Sequence, residues 1–254
     1  MIIPERFRRT AQLLGPSAVA TLAKSRVAVV GLGAVGSYAV EALTRAGIGY
    51  LRLVDFDIIR PSNFNRQLYA LEATVGRPKA EVARERALNI NPSCQVDIRQ
   101  IFVDAATAPD LLRPPVDVLV DAIDSVGPKV ALLAAARTAA CPTISSMGAA
   151  TRLNPDLVRV ADLSETTDCP LARFIRKRLR RLGIESGITC IFSVEPARSS
   201  LSPVLTEAES WPRGRPRRPI GSLSYMTGIF GLRAAYEVLR VLLPELKESV
   251  PNRP

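Results

Sequence analysis

Histidine is absent from this chain of 254 residues. Its absence excludes a Ser–His–Asp triad, a histidine-ligated metal and imidazole acid–base chemistry. Cysteine is scarce. Cys94, Cys141, Cys169 and Cys190 are scattered, with no C-x-x-C pair. A zinc held by thiolates needs closer spacing, and the pattern fits a reducing cytoplasm. Long apolar runs are missing too. No stretch approaches the roughly 18 uncharged apolar residues of a membrane-spanning helix, and Pro4-Glu5-Arg6 interrupts the start, so no secretory signal is expected. Negative charge is in short supply: Lys and Arg number 34 against 24 Asp and Glu, a net +10. Arginine outnumbers lysine heavily, which favours phosphate, RNA or an acidic partner; genomic composition bias explains it equally well.

What is present points to one large α/β domain. The chain is 47% hydrophobic and 23% charged, enough for a sizeable core and too little charge for global disorder. The informative stretch runs from Val27 to Arg66. An apolar run, Val27 to Val30, meets Gly31-Leu32-Gly33-Ala34-Val35-Gly36, and a helical pattern follows. A second apolar strand, Leu51 to Val54, ends in Asp55. Amides at such a glycine turn and helix start bind phosphate, and the acid suits ribose hydroxyls. The next residues, Ser62-Asn63-Phe64-Asn65-Arg66-Gln67, put an amide and a guanidinium beside the nucleotide, which suggests chemistry on its phosphates rather than hydride transfer.

Repeated strand–helix units continue through a helix from Lys79 to about Asn89, a strand near 96–101, a buried strand Val116–Val120 ending in Asp121-Ala122-Ile123-Asp124, an Ala-rich helix at 127–140 and a short strand Pro142–Ser146. This order predicts a Rossmann-like, doubly wound, mostly parallel sheet. Residues 1–25 read as an N-terminal helical arm broken at Gly15-Pro16, and 26–254 as a single α/β domain. The later strands Val158–Leu163 and Ile188–Val194 read as an antiparallel C-terminal extension. Between them a basic helix, about 171–182, carries an apolar stripe of Leu171, Phe174, Ile175, Leu179 and Leu182. Its arginine face reads first as solvated, with RNA or membrane contact as the alternative. Residues 196–219, with Arg213, Arg215, Arg217 and Arg218, read as a flexible loop, and a last helix spans about 224–243.

Taken together, GLGAVGS from Gly31, VDFD from Val54 with SNFNRQ from Ser62, GRPKA from Gly76 and DAIDS from Asp121 resemble the family of ubiquitin-activating enzymes and their bacterial adenylating relatives. Within it the chain is similar to the branch that dehydrates and cyclises threonylcarbamoyladenosine in the tRNA anticodon loop. Arg6-Phe7, Pro128-Lys129, Asp168-Cys169-Pro170-Leu171-Ala172, Cys190 to Glu195 and Gly228 to Leu232 carry that likeness. The resemblance implies ATP and Mg²⁺ as cofactors and a carboxyl-adenylate intermediate. It implies that Gly31, Gly33 and Gly36 let the backbone approach the nucleotide and that Asp55 takes the ribose. Asn63, Arg66 and Lys79 would hold the phosphates, and Asp124 the metal. Arg66, Lys79 and Asp124 would act in catalysis. Arg6 would reach the ATP of a partner subunit in a homodimer. A sulfur-transfer partner protein stays open, as does peripheral contact with a membrane by a cytoplasmic protein. The runner-up reading is an adenylyltransferase for a ubiquitin-like sulfur carrier; the missing C-x-x-C pairs speak against it. A nicotinamide-dependent dehydrogenase and a non-catalytic RNA-binding module are more distant alternatives.

Overall fold

Continuous apolar runs make strands that can be buried on both faces, and here they assemble one sheet. In the computed structural model, which describes residues 2–198 and 220–248, the strands are β1 (Arg26–Val30), β2 (Tyr50–Val54), β3 (Gln95–Arg99), β4 (Val118–Asp121), β5 (Thr143–Ser146), β6 (Val158–Asp162) and β7 (Thr189–Ser193). Their order is β3-β2-β1-β4-β5-β7-β6. Every pairing is parallel except β6 with β7, where Val160 faces Ile191. Apart from its first three residues, the expected loop at 196–219 lies outside the described residues.

Alternate residues of the central strands feed two faces, as a period of two requires. Val27, Val29, Leu51, Leu53, Val118 and Val120 pack against α2 (Pro16–Lys24), α3 (Gly36–Ala46), α4 (Lys79–Ile90) and α7 (Ser224–Leu242). Ala28, Val30, Val54 and Leu119 face a 3₁₀ turn at Ala108–Leu112 and α5 (Val126–Thr138). On that same side α6 (Pro170–Arg180) packs against α5, next to β7. The N-terminal segment breaks at Gly15-Pro16 into α1 (Arg8–Leu14) and α2, and it is docked: Phe7 lies against Gly47, and Ala18 and Leu22 are buried in the core. No helix among the described residues is long and apolar enough to cross a membrane.

The basic helix departs from its expected stripe. Ala172, Ile175 and Leu179 are buried at i, i+3 and i+7, whereas Phe174 is 52% and Leu182 58% exposed. A turn of 3.6 residues groups 172, 175 and 179 on one face and throws 174 off it, and Leu182 stands beyond the end of the helix.

Strands β2 and β4 flank β1 on opposite sides, so the chain order reverses there. The carboxyl ends of β1, β2 and β4 therefore open onto one crevice, the place where such sheets bind ligands.

Candidate nucleotide site

The crevice is built from the turn after β1. Gly31 has φ +91°, and a Cβ on it would stand 2.8 Å from the backbone of Ala122. A Cβ on Gly36 would stand 1.8 Å from Gly31 O. These two glycines are thus demanded by the packing of the turn against α3 and the strand-β4 loop. Gly33 is different. A Cβ there would approach only Gln67 Nε2, at 3.7 Å, so the fold does not require a glycine at that point, and its missing side chain leaves space for a ligand.

Contacts join the expected residues one to the next. Asp55, just after β2, accepts the Leu32 N–H of the glycine turn at 2.7 Å and the Asp57 N–H at 2.9 Å. Burial pushes its carboxyl above the ordinary aspartate value of 3.8, opposed by Lys79 nearby and by the two amides. A carboxylate offers about four lone-pair directions, so two remain for ribose hydroxyls. Lys79 is the first residue of α4, and its Nζ lies 2.5 Å from Asp57 Oδ2, both side chains being buried. The Lys79 N–H also donates to Asp57 O at 3.0 Å. Gln67, beside Gly33, belongs to the turn that carries Asn63 and Arg66. Asn63 is buried and its Oδ1 accepts the Arg60 N–H at 3.1 Å, so its carbonyl closes the turn. Arg66 is half-buried; its Nη1 donates to Ser62 O and Asn65 Oδ1, both at 2.8 Å, and no carboxylate among the described residues pairs with it.

Asp124 is exposed on the loop after β4, and a sealed network braces that loop. Asp121 and Lys129 are each 0% exposed and paired at 2.6 Å. Lys129 Nζ also donates to Ile123 O at 2.9 Å, Ser145 Oγ donates to Asp121 Oδ2 at 2.6 Å, and Asp121 Oδ1 accepts the Ile123 N–H at 3.1 Å. The sequence motifs assign no role to Asp57 and leave Asp121 open between a turn residue and a metal ligand. The spacing Asp55-Phe56-Asp57 puts two acids on one side of an extended segment, and that was the available signal for the first.

Arg6 stands apart from this chain's own crevice. Its Nη1 donates to Ile90 O at 2.8 Å, at the C-terminal end of α4. Lys79 begins the same helix, about 16 Å away by helical rise.

Magnesium was expected on Asp124. No group of three His, Cys, Asp or Glu among the described residues is placed to hold a metal. A single exposed carboxylate does suit an ion that arrives with a triphosphate, because Mg²⁺ binds through one or two carboxylates, phosphate oxygens and water. The donor set therefore fits an ion that a nucleotide brings with it. Burial pushes the Cys94 and Cys141 thiols up to about 11 and raises that of Cys190 further still, which leaves little thiolate at these three positions at neutral pH. Two surface hollows, about 490 and 270 Å³, are lined by Thr21, Lys24, Ser25 and Asp117 and by Ile144, Asp162 and Thr189 among others. They lie toward the amino ends of β1, β4, β5 and β7, away from the crevice.

A reversing parallel sheet with a glycine turn at one strand end, a carboxylate at the next and a buried lysine beside it defines a nucleotide-binding α/β protein. The chain belongs to the ThiF family, whose pattern matches residues 7–253. It is 35% identical over 251 residues to the tRNA threonylcarbamoyladenosine dehydratase of Escherichia coli strain K12, covering 94% of each chain. It is 40% identical over 190 residues to that of Bacillus subtilis strain 168, covering 75% of each. The crystal structure of the Escherichia coli dehydratase in complex with ATP superposes with a TM-score of 0.86 at 33% identity, covering 98% of this chain and 100% of that one. A molybdopterin-synthase adenylyltransferase of Escherichia coli is 35% identical over 170 residues, 67% of this chain and 64% of its own.

Proposed function

We propose that this chain dehydrates and cyclises threonylcarbamoyladenosine in the tRNA anticodon loop, using ATP and passing through a carboxyl adenylate. The observation that carries the reading is the linked set of Gly31–Gly36, Asp55, Asp57 and Lys79 at the crevice of a chain alike over 98% of its length to an ATP-bound dehydratase.

A carboxylate is a poor electrophile because its leaving group would be oxide. In the first step a substrate carboxylate oxygen attacks the α-phosphorus, and the bond to pyrophosphate breaks. In the second, a nucleophile within the same threonylcarbamoyl group attacks the acyl carbon, loses its proton, and expels AMP with the former carboxylate oxygen. The balance is the loss of one water from the nucleoside. Ring closure is intramolecular, so orientation supplies much of the rate and no histidine is required.

The roles follow from position. The turn amides and the space at Gly33 receive the phosphates, and Asp55 takes the ribose. Arg66 and Lys79 neutralise charge that develops on the phosphates, with Asn63 holding the turn that carries Arg66 and meeting the same phosphates through its amide; donors of this kind are each worth about 10²- to 10³-fold. Asp124 would hold Mg²⁺, which when bound supplies further charge neutralisation. Arg66, Lys79 and Asp124 are the catalytic set. Residues 26–254 act as one adenylating unit in a cytoplasmic homodimer, with Arg6 in the 1–25 arm reaching the partner subunit's ATP. The reading requires neither a sulfur-transfer partner protein nor membrane contact.

The molybdopterin-synthase relative favours a second reading, adenylation of a sulfur-carrier tail. ATP–pyrophosphate exchange separates the two, since tRNA bearing the open nucleoside should stimulate it and a carrier ending in Gly-Gly should not. The direct test is mass spectrometry of tRNA nucleosides from cells lacking this protein. The open threonylcarbamoyl form should accumulate and the cyclic form vanish; an unchanged cyclic fraction defeats the proposal.

A further inference from the structure

The net charge of +10 is unevenly compensated. Over much of the surface, arginines sit against acids: Arg45 and Arg86 on Glu41, Arg77 on Glu85, Arg99 on Asp97, Arg233 and Arg240 on Glu237. Helix α6 instead concentrates cations that lack such partners. Arg173, Lys177, Arg178, Arg180 and Arg181 are all exposed, none pairs with a carboxylate among the described residues, and no acid occurs in 169–184. Arg176 is the one cation of the run turned inward, where its Nη1 donates to Leu163 O, Thr166 O and Thr166 Oγ1 at 3.2, 2.8 and 2.5 Å and holds the helix down. Concentrating like charge costs free energy through mutual repulsion. Among these cations stands Phe174, 52% exposed, with the Arg173 guanidinium 5.6 Å from its ring centre.

The helix is also anchored at the catalytic edge. Cys169 Sγ lies 3.6 Å from where a Gly148 Cβ would stand, two residues past the end of β5, and Arg152 Nη2 donates to Asp168 O at 3.1 Å just before α6 begins. Because β7 runs parallel to β5, α6 starts beside the carboxyl ends of the strands and descends the flank for about 16 Å.

We propose that the exposed face of α6 is the docking surface for the tRNA phosphate backbone, with Phe174 stacking on an unpaired base next to the one delivered to the crevice. This rests on the tRNA reading above. A row of cations tracking a backbone, interleaved with an aromatic ring, is the chemistry of single-stranded nucleic-acid recognition. A lipid surface fits less well. The apolar face of α6 is spent in the core on Ala172, Ile175 and Leu179, whereas an interfacial helix buries that face in the membrane.

The test uses the full chain, a fluorescent tRNA transcript, and vesicles of phosphatidylcholine with phosphatidylserine. Replacing Arg173, Lys177, Arg180 and Arg181 together by Gln should weaken tRNA binding by about tenfold or more and lower the slope of log affinity against log salt by about 3. Phe174→Ser should weaken it about fivefold or more with the slope unchanged. The variant Arg173→Lys, Arg180→Lys, Arg181→Lys should retain binding, and ATP affinity by calorimetry should be unchanged in all three. Wild-type affinity and slope in the Gln variant overturn the inference while leaving the tRNA reading intact. A loss confined to vesicle co-sedimentation overturns it in favour of a membrane. A wild-type chain that binds no tRNA defeats the underlying reading itself.

Discussion

Two lysines lie buried beside the crevice, each 2.5 to 2.6 Å from an aspartate, and they differ in what else they touch. Lys129, fully sealed, donates both to Asp121 and to Ile123 O, while Asp121 is further bound by Ser145 and the Ile123 amide. The Lys79 ammonium has one hydrogen-bond acceptor among the described residues, Asp57 Oδ2, and stands near Asp55 and the glycine turn. An ammonium carries three donors. The first lysine is spent on holding the Asp124 loop in shape. The second keeps donors in reserve, tethered by a carboxylate, and the proposed function assigns those donors to the phosphates. A similar ion pair thus serves as a brace in one place and as a poised charge in the other.

The comparison can be broken by substitution. Lys129→Met should cost most in stability, about 3–5 kcal/mol, because it strands a buried carboxylate; a thermal melt checks this, and an unshifted midpoint would remove the brace from the account. Lys79→Ala should lower turnover by about 10²- to 10³-fold. Its melting temperature should fall less than that of the Lys129 variant, because Arg60 lies 3.7 Å from Asp57 and can partly compensate. Equal melting losses would mean both lysines are structural. Asp124→Asn should lower the melt less than either lysine substitution, since the side chain is exposed, while reducing turnover about tenfold and raising the magnesium needed for half-maximal rate.

The smallest effect is on pH. Burial holds the Asp55 carboxyl above 3.8, so its folded value exceeds its unfolded one. The folded state binds that proton more readily, and this group's contribution to stability declines as pH rises through the window between the two values. ATP affinity should move the opposite way and strengthen over the same window, because only the ionised acid accepts from ribose and Leu32 at full strength. Calorimetry and melts between about pH 4 and 7 read the two signs. Parallel trends would take Asp55 out of the ribose site.

The wild-type crevice was largely legible from local sequence because strand, glycine turn, helix and acid follow one another directly. The apolar run at Val27 to Val30, the turn at Gly31 to Gly36 and the lysine opening α4 all stand where spacing predicts them. The antiparallel pairing of β6 with β7 agrees with the reading of Val158–Leu163 and Ile188–Val194 as an antiparallel extension. What escaped depends on partners distant in the chain. Asp57 acquires meaning only when Lys79 folds back across 22 residues, and Asp121 when Lys129 and Ser145 close on it. The exposure of Phe174 was hidden because apolar residues on a short helix look alike until one knows which three reach the core.

The measurement that bears most directly on the account is a crystal structure of this chain with magnesium and a non-hydrolysable ATP analogue. The account predicts ribose oxygens on Asp55, phosphate oxygens within hydrogen-bond reach of Lys79 and Arg66 beside Gly33, and the metal on Asp124. Nucleotide bound elsewhere, or in the crevice with Lys79 still donating to Asp57 alone, would contradict it.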